Sequence, residues 1–298
     1  MSGELARLLP DVEAVTARLD AVDYLADVGL ATAIFLSLRV PQPLLLEGEA
    51  GVGKTEAARA LAAALETPLI RLQCYEGMDS SEALYEWNYP RQLLRIRLAE
   101  AGRADVSEDD LFGREYLVSR PVLEAIEHPG PLPAVLLIDE LDRADPDFEA
   151  FLLEVLADAA VTIPELGTVR ATVPPAVVLT SNRTRDLHDA LKRRCLYHWI
   201  DYPSPAREVE ILRRRVPGTS ERLSREVVAA LARLRAADVQ KPPGIAEAID
   251  WVAALELLGA ERLDEAAADR TLGTVLKYRE DQQAVRAGGM QTLVGGTA

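Results

Sequence analysis

The chain is predicted to fold as a doubly wound α/β domain, a parallel sheet with helices on both faces, followed by a small all-helical domain. Short, largely apolar runs recur at Leu44-Leu45-Leu46, Ala134–Ile138 and Ala176–Thr180, which suits strands buried on both faces. Helical patterns alternate with these runs over the first part of the chain. From Ser204 to about residue 284 the apolar spacing is helical throughout.

Each element has its own signal. Val28–Arg39 has helical length and stops before Pro41 and Pro43. Its apolar stretch, Gly29 to Leu38, is far short of the roughly 20 residues needed to span a bilayer, so it reads as a buried helix. Leu44–Leu46 is a central strand, and Lys54–Glu66 sets Ala57, Leu61, Ala64 and Leu65 on one helical face. Pro68–Cys74 reads as a second strand. Asp145 stands where a helix cap belongs, with Pro146 at the first position and Phe148, Phe151, Leu152 and Val155 on one stripe. Val161–Ile163 and Val169–Val173 flank residues 164–168 as a β-hairpin, and Leu196–Ile200 is a fifth strand of the sheet. Pro205 opens the helical region, whose clearest stripe is Ile245, Ala248, Ile249, Val252 and Leu255. The expected division is therefore an α/β domain over 1–203 and a helical domain over 204–286. The tail over 287–298, with Gly288-Gly289 and Gly295-Gly296, is expected to be disordered.

Composition narrows the function classes. With 33 Lys and Arg against 48 Asp and Glu, the net charge of −15 opposes a generally basic nucleic-acid footprint, although a local basic groove is compatible with it. Cys74 and Cys195 form no CxxC or Cys/His cluster and read as reduced core thiols. His128, His188 and His198 are scattered, without metal-ligand spacing. The first residues lack the charged start and apolar stretch of a secretory signal, so a cytoplasmic protein without a membrane span is expected.

Gly48-Glu49-Ala50-Gly51-Val52-Gly53-Lys54-Thr55 satisfies G-x-x-x-x-G-K-[ST] between a predicted strand and a predicted helix. Glycines there let successive backbone N–H groups converge, and the helix adds its positive dipole end, so the loop can cradle phosphate oxygens. Lys54 supplies a charge for the β and γ phosphates, Thr55 offers a hydroxyl to Mg²⁺, and Glu56 follows in the first helical turn. Asp139-Glu140 closes an apolar strand some eighty-five residues later. Asp139 is assigned to the Mg²⁺ shell, and Glu140 to orienting and deprotonating a water. Asn182 ends the next strand, where its amide can bridge the γ-phosphate and that water. Lys192-Arg193-Arg194 is a basic knot in an acidic chain, and an arginine offered across a subunit interface stabilises charge on a transferring phosphoryl group. Arg194 is the preferred candidate and Arg193 the reserve.

This combination, followed by helices suited to a lid, resembles the AAA+ ATPases over nearly the whole chain. Within them, Gln73–Asp79, Tyr85–Leu94 and Asp189–Cys195 are similar to the MoxR family, in its CoxD-like branch. The resemblance implies ATP rather than GTP, a hexameric ring, and a chaperone that helps mature molybdenum hydroxylases such as carbon monoxide dehydrogenase. It also implies a partner with a von Willebrand factor A domain. By the same resemblance, residues 76–117 hold an insertion near the second helix, and it and the hairpin over 161–173 project toward the ring pore. Trp87, Tyr89, Arg91, Arg95 and Arg97 then become candidates to touch a client or partner. One departure is the lid sequence Gln240-Lys241-Pro242-Pro243-Gly244-Ile245: where many relatives place an arginine on the γ-phosphate, Lys241 is the available substitute. Two other classes share the same core. One is a nucleic-acid motor or clamp loader, which the acidic balance opposes. The other is a non-catalytic nucleotide switch, which Glu140 and Arg194 oppose.

Overall fold

The computed structural model describes residues 3–40, 42–79, 81–102 and 108–295. Among them lie the strands β1 Leu44–Gly48, β2 Leu69–Gln73, β3 Tyr85–Trp87, β4 Leu117–Ser119, β5 Val135–Asp139, β6 Ala160–Ile163, β7 Gly167–Arg170, β8 Ala176–Ser181 and β9 Leu196–Ile200. Five form the central sheet in the order β2-β5-β8-β1-β9. The pairs β2/β5, β5/β8 and β8/β1 are parallel, with Gln73 beside Asp139, Ile138 beside Leu179, and Glu47 beside Ser181. Every residue of β1 and β5 is buried, as a sheet covered on both faces requires. The register brings Gln73, Asp139, Ser181 and Glu47 to one carboxyl edge, where open α/β sheets bind ligands.

Packing divides the chain into two compact units. The first comprises the residues up to Val22, Ala26–Glu47 and Thr55–Trp199; the second comprises Asp23–Leu25, Gly48–Lys54 and the chain from Ile200 onward. The core of the first unit is built on Leu45, Leu123, Leu136, Ile138 and Leu179. The core of the second gathers Leu231, Trp251, Val252, Leu255 and Leu272 from its helices. Ser204 caps the first of these helices, Pro205–Arg215, by accepting from Arg207 N. The buried Trp251 indole donates to Thr271 Oγ1 at 2.6 Å, which satisfies the ring's polar atom. Among the described residues no helix is long and apolar enough to cross a membrane.

Four local features differ from expectation. Asp145 sits at the cap position of the helix Pro146–Asp158, but its side chain makes no capping bond, because Gly77 N–H competes for it at 3.1 Å. The second hairpin strand runs over Gly167–Arg170 rather than Val169–Val173, because Gly167 adopts a φ of +83° and the chain reverses earlier. Trp87 is buried at 8% exposure, edge-on to Phe112 with ring centroids 5.1 Å apart, and is not a surface residue. The tail also departs from disorder, since Met290–Val294 is helical with Leu293 buried. The Arg233 guanidinium donates to Leu293 O at 2.7 Å and ties that turn down. Residues 296–298 of the tail, and 80 and 103–107 of the expected insertion, lie outside the described residues.

Candidate active site

The phosphate loop over 48–54 belongs to the second unit. Gly48 is required by close approach: a Cβ there would lie 2.4 Å from Ile200 O. Gly51 adopts a φ of +79°, and its carbonyl accepts from Ile245 N at 3.0 Å and Ala246 N at 3.4 Å, the first amides of the helix Ile245–Leu257. The Gly51 and Gly244 backbones abut so closely that a Cβ on Gly244 would lie 2.7 Å from Gly51 Cα. Lys54 is buried, and its ammonium donates to Gly48 O and Glu49 O, both at 2.7 Å. A buried cation therefore stands where the helix Lys54–Leu65 begins, held by carbonyls of its own loop.

Thr55, next in the chain, belongs to the first unit. Its hydroxyl donates to Asp139 Oδ1 at 2.9 Å, and the Thr180 hydroxyl donates to the same oxygen at 2.6 Å. The other oxygen, Oδ2, accepts from Arg71 Nε at 3.0 Å and Arg71 Nη2 at 2.6 Å. Asp139 is 2% exposed, so these donors replace the water its charge has lost. A hydroxyl and a carboxylate are hard oxygen donors of the kind Mg²⁺ takes. Among the described residues no group of three or more His, Cys, Asp or Glu could hold a metal. That sparse set fits Mg²⁺, which draws most of its shell from phosphates and water.

Glu140 has φ 54° and ψ 50°, a left-handed conformation costing on the order of 1 kcal/mol or more for a non-glycine residue. The bend ends β5 and turns this side chain aside while Leu141 enters the core. Its Oε2 accepts from Gln73 Nε2 at 3.1 Å and Arg143 Nη1 at 2.9 Å, and its amide donates to Thr180 Oγ1 at 2.9 Å. Asp142, also buried, accepts from Asn182 N at 3.2 Å and from Thr184 N and Oγ1 at 2.9 and 2.7 Å. Asn182 is thereby held by the same turn that carries Glu140. Burial pushes the neighbouring Cys74 thiol up to about 12, and the charges of Asp139, Asp142 and Glu140 add to the shift.

The arginine candidates separate. Arg194 donates from Nη1 to Leu153 O at 3.0 Å, whereas the side chain of Arg193, at the end of the helix Asp189–Lys192, is exposed. To reach across an interface, Arg194 would first have to give up that bond. Lys241 is exposed. The side chain set against the phosphate loop at the start of the lid helix is Glu247, whose Oε2 accepts from Gly244 N at 3.0 Å and would lie 2.8 Å from a Cβ on Gly51. Glu56 is half-buried in the first turn after the loop. In the helix Tyr89–Gly102, Tyr89, Arg95 and Arg97 are exposed, and Arg91 is tethered to Glu115 O at 2.9 Å.

Sequence reasoning missed Arg71, Gln73, Thr180, Asp142 and Glu247. Some signals were present. Arg71 and Gln73 alternate with Ile70 and Leu72 on a strand, so both face away from the apolar side. Gly244-Ile245-Ala246-Glu247 has the spacing of a capping box. Nothing local announces that Thr180 bridges Asp139 and Glu140.

A family model, AAA domain (dynein-related subfamily), matches residues 43–195. The chain is 31% identical over 185 residues to Chaperone protein ClpB 2 of Nostoc sp. (strain PCC 7120), covering 59% of this chain and 17% of that one. It is 36% identical over 143 residues to Chaperone protein ClpB 2 of Parasynechococcus marenigrum, covering 46% and 13%. With an uncharacterized protein of Staphylococcus haemolyticus it shares 27% identity over 165 residues, 53% of this chain and 55% of that one. The chain thus spans less than two thirds of the length of each of these relatives. Among solved structures, the Thermotoga maritima RuvB Holliday junction branch migration motor superposes with a TM-score of 0.46 at 16% identity, over 82% of this chain and 66% of that one.

Proposed function

Because the chain belongs to the AAA domain family, in its dynein-related subfamily, we propose that it is a Mg²⁺-dependent ATP hydrolase that remodels a protein client. The observation that carries this reading is the hydrogen bond from Thr55 Oγ1 to Asp139 Oδ1, which joins the end of the phosphate-loop motif to the acidic strand end. Thr55 and Asp139 would hold the metal, which when bound would offset charge on the transferring phosphoryl group. Residues 48–54 cradle the phosphates through backbone N–H groups, and Lys54 moves from Gly48 O and Glu49 O to the β and γ oxygens. Glu140 takes the proton of the attacking water, aimed by its bonds from Gln73 and Arg143. The Asn182 amide orients that water. Arg193, or Arg194 once released from Leu153 O, acts in trans on the γ-phosphate of a neighbouring subunit. Lys241 is the cation available to follow nucleotide state from the lid.

Proteins of this family work as oligomeric rings, and a hexamer is the form proposed for this chain. The client is proposed to be a molybdenum hydroxylase such as carbon monoxide dehydrogenase, served together with a von Willebrand factor A partner. The MoxR and CoxD-like character of Gln73–Asp79 and Tyr85–Leu94 supports that reading. The helix Tyr89–Gly102 supports client contact, because Tyr89, Leu93, Leu94 and Leu98 are each more than half exposed beside Arg95 and Arg97.

Glu140→Gln tests the chemistry. Turnover is expected to fall by about 10² to 10⁴ while ATP and Mg²⁺ binding persist, so that the variant traps unhydrolysed ATP. Equal turnover in the variant and the parent chain would overturn the assignment.

A further inference from the structure

We propose that Arg71 is a built-in counter-ion for Asp139, holding that carboxylate in place when no Mg²⁺ is bound and competing with Mg²⁺ for it. The proposal rests on Asp139 being the metal-side carboxylate. In a parallel pair, register partners face the same side of the sheet, and Arg71 pairs with Leu137. Asp139, two residues further along β5, shares that side, and the guanidinium reaches it with two nitrogens on Oδ2. The opposite oxygen carries the Thr55 and Thr180 hydroxyls, so all four donors converge on one buried carboxylate. Without the guanidinium, a charge at 3% side-chain exposure would keep two neutral hydroxyls and no cation.

Two features distinguish a competitor from a simple fastening of β2 to β5. The Arg71 side chain is 42% exposed, so one end of this ion pair is open to water and the guanidinium can withdraw without being desolvated. Its Nη2 also donates to Gln73 Oε1, while Gln73 Nε2 donates to Glu140 Oε2. Arg71 therefore has a second acceptor to retain when it leaves Asp139, and that acceptor lies against the water-activating carboxylate. Arg71 is thus a positioning residue that links occupancy of the metal side to the setting of Glu140.

The test measures ADP binding to the full chain by calorimetry across a Mg²⁺ series, together with thermal unfolding with and without Mg²⁺ and ADP. In Arg71→Gln the Mg²⁺ concentration giving half-maximal enhancement of ADP binding is expected to fall about tenfold, as removal of a charge-assisted competitor implies. The melting temperature is expected to fall without ligand and to recover with Mg²⁺ and ADP. Should Arg71→Gln not fold, Arg71→Lys keeps the charge but cannot place two nitrogens on Oδ2, and its midpoint is expected to move about threefold in the same direction. A midpoint that stays put or rises, with equal destabilisation in the presence and absence of ligand, overturns the proposal in favour of a structural fastening. Asp139→Asn is measured alongside: if it leaves the Mg²⁺ dependence of ADP binding unchanged, the metal-side assignment itself fails, and the proposal fails with it.

Discussion

At the carboxyl edge of the sheet, Asp139, Asp142 and Thr180 are all buried, and their bonds reach Thr55, Glu140 and Asn182. In the helical unit the core of Leu231, Trp251, Val252 and Leu272 is apolar, and the bonds made by Thr271, Ser224 and Glu208 are separate from one another. Thr271 takes the Trp251 indole, Ser224 donates back to Ser220 O, and Glu208 takes Arg235 at 2.7 Å. The contrast is physical. A helical core needs only volume and shape, and these three bonds are independent of one another. The sheet edge keeps a connected polar network inside the protein, which costs stability whenever one member is lost.

Mutations that break one region and spare the other sharpen the comparison. The largest stability effect is expected in the helical core, where Leu231→Ala should cost about 2 to 5 kcal/mol through a cavity in a fully buried site. Denaturant unfolding would measure it, and Mg²⁺-dependent ADP affinity below the transition should stay within a few-fold of the parent. Thr180→Val should cost less, about 1 to 3 kcal/mol, because it keeps the volume but strips one donor from Asp139 and one acceptor from Glu140 N. Unlike Leu231→Ala, it should also weaken Mg²⁺-dependent ADP binding and slow turnover. If the two substitutions had the same profile, the distinction between the regions would be lost.

The smallest effect concerns reactivity. Burial disfavours the charged thiolate, and with the three carboxylates nearby it sets Cys74 near 12, while burial alone pushes Cys195 to about 12 as well. The thiolate fraction therefore remains minute at pH 8 and grows only as pH climbs toward those values. Iodoacetamide at pH 8 should leave both cysteines of the native chain unmodified over a time that fully labels them in urea. Fast native labelling of Cys74 would show that the packing beneath Asp139 is looser than described.

Much of the fold was legible because it is written in local periodicity. Val28–Arg39, Leu196–Ile200 and the helix from Lys54 follow directly from apolar spacing and breaker residues. The misjudged details are those where a distant group intervenes. Asp145 has the right residue type for a cap, yet Gly77 N–H, 68 positions away, takes its carboxylate. Trp87 lies in a stretch with surface arginines, but the β3/β4 ribbon and Phe112 enclose it. Met290–Val294 looked like an unstructured tail until Arg233 and the buried Leu293 supplied contacts that two glycine pairs cannot advertise.

By itself the sequence determined the alternation of strands and helices, the glycine-rich loop with Lys54 and Thr55, and the acidic pair at a strand end. These depend on residue type and short spacing, which a chain carries before it folds. Only the tertiary structure decided which donors meet Asp139, that Arg194 rather than Arg193 is tied to Leu153 O, and that Glu247 faces Gly51. Arg71 lies 68 positions from Asp139 in the chain, and Thr180 lies 41. Such pairings arise from strand order and register, which no local stretch of sequence contains.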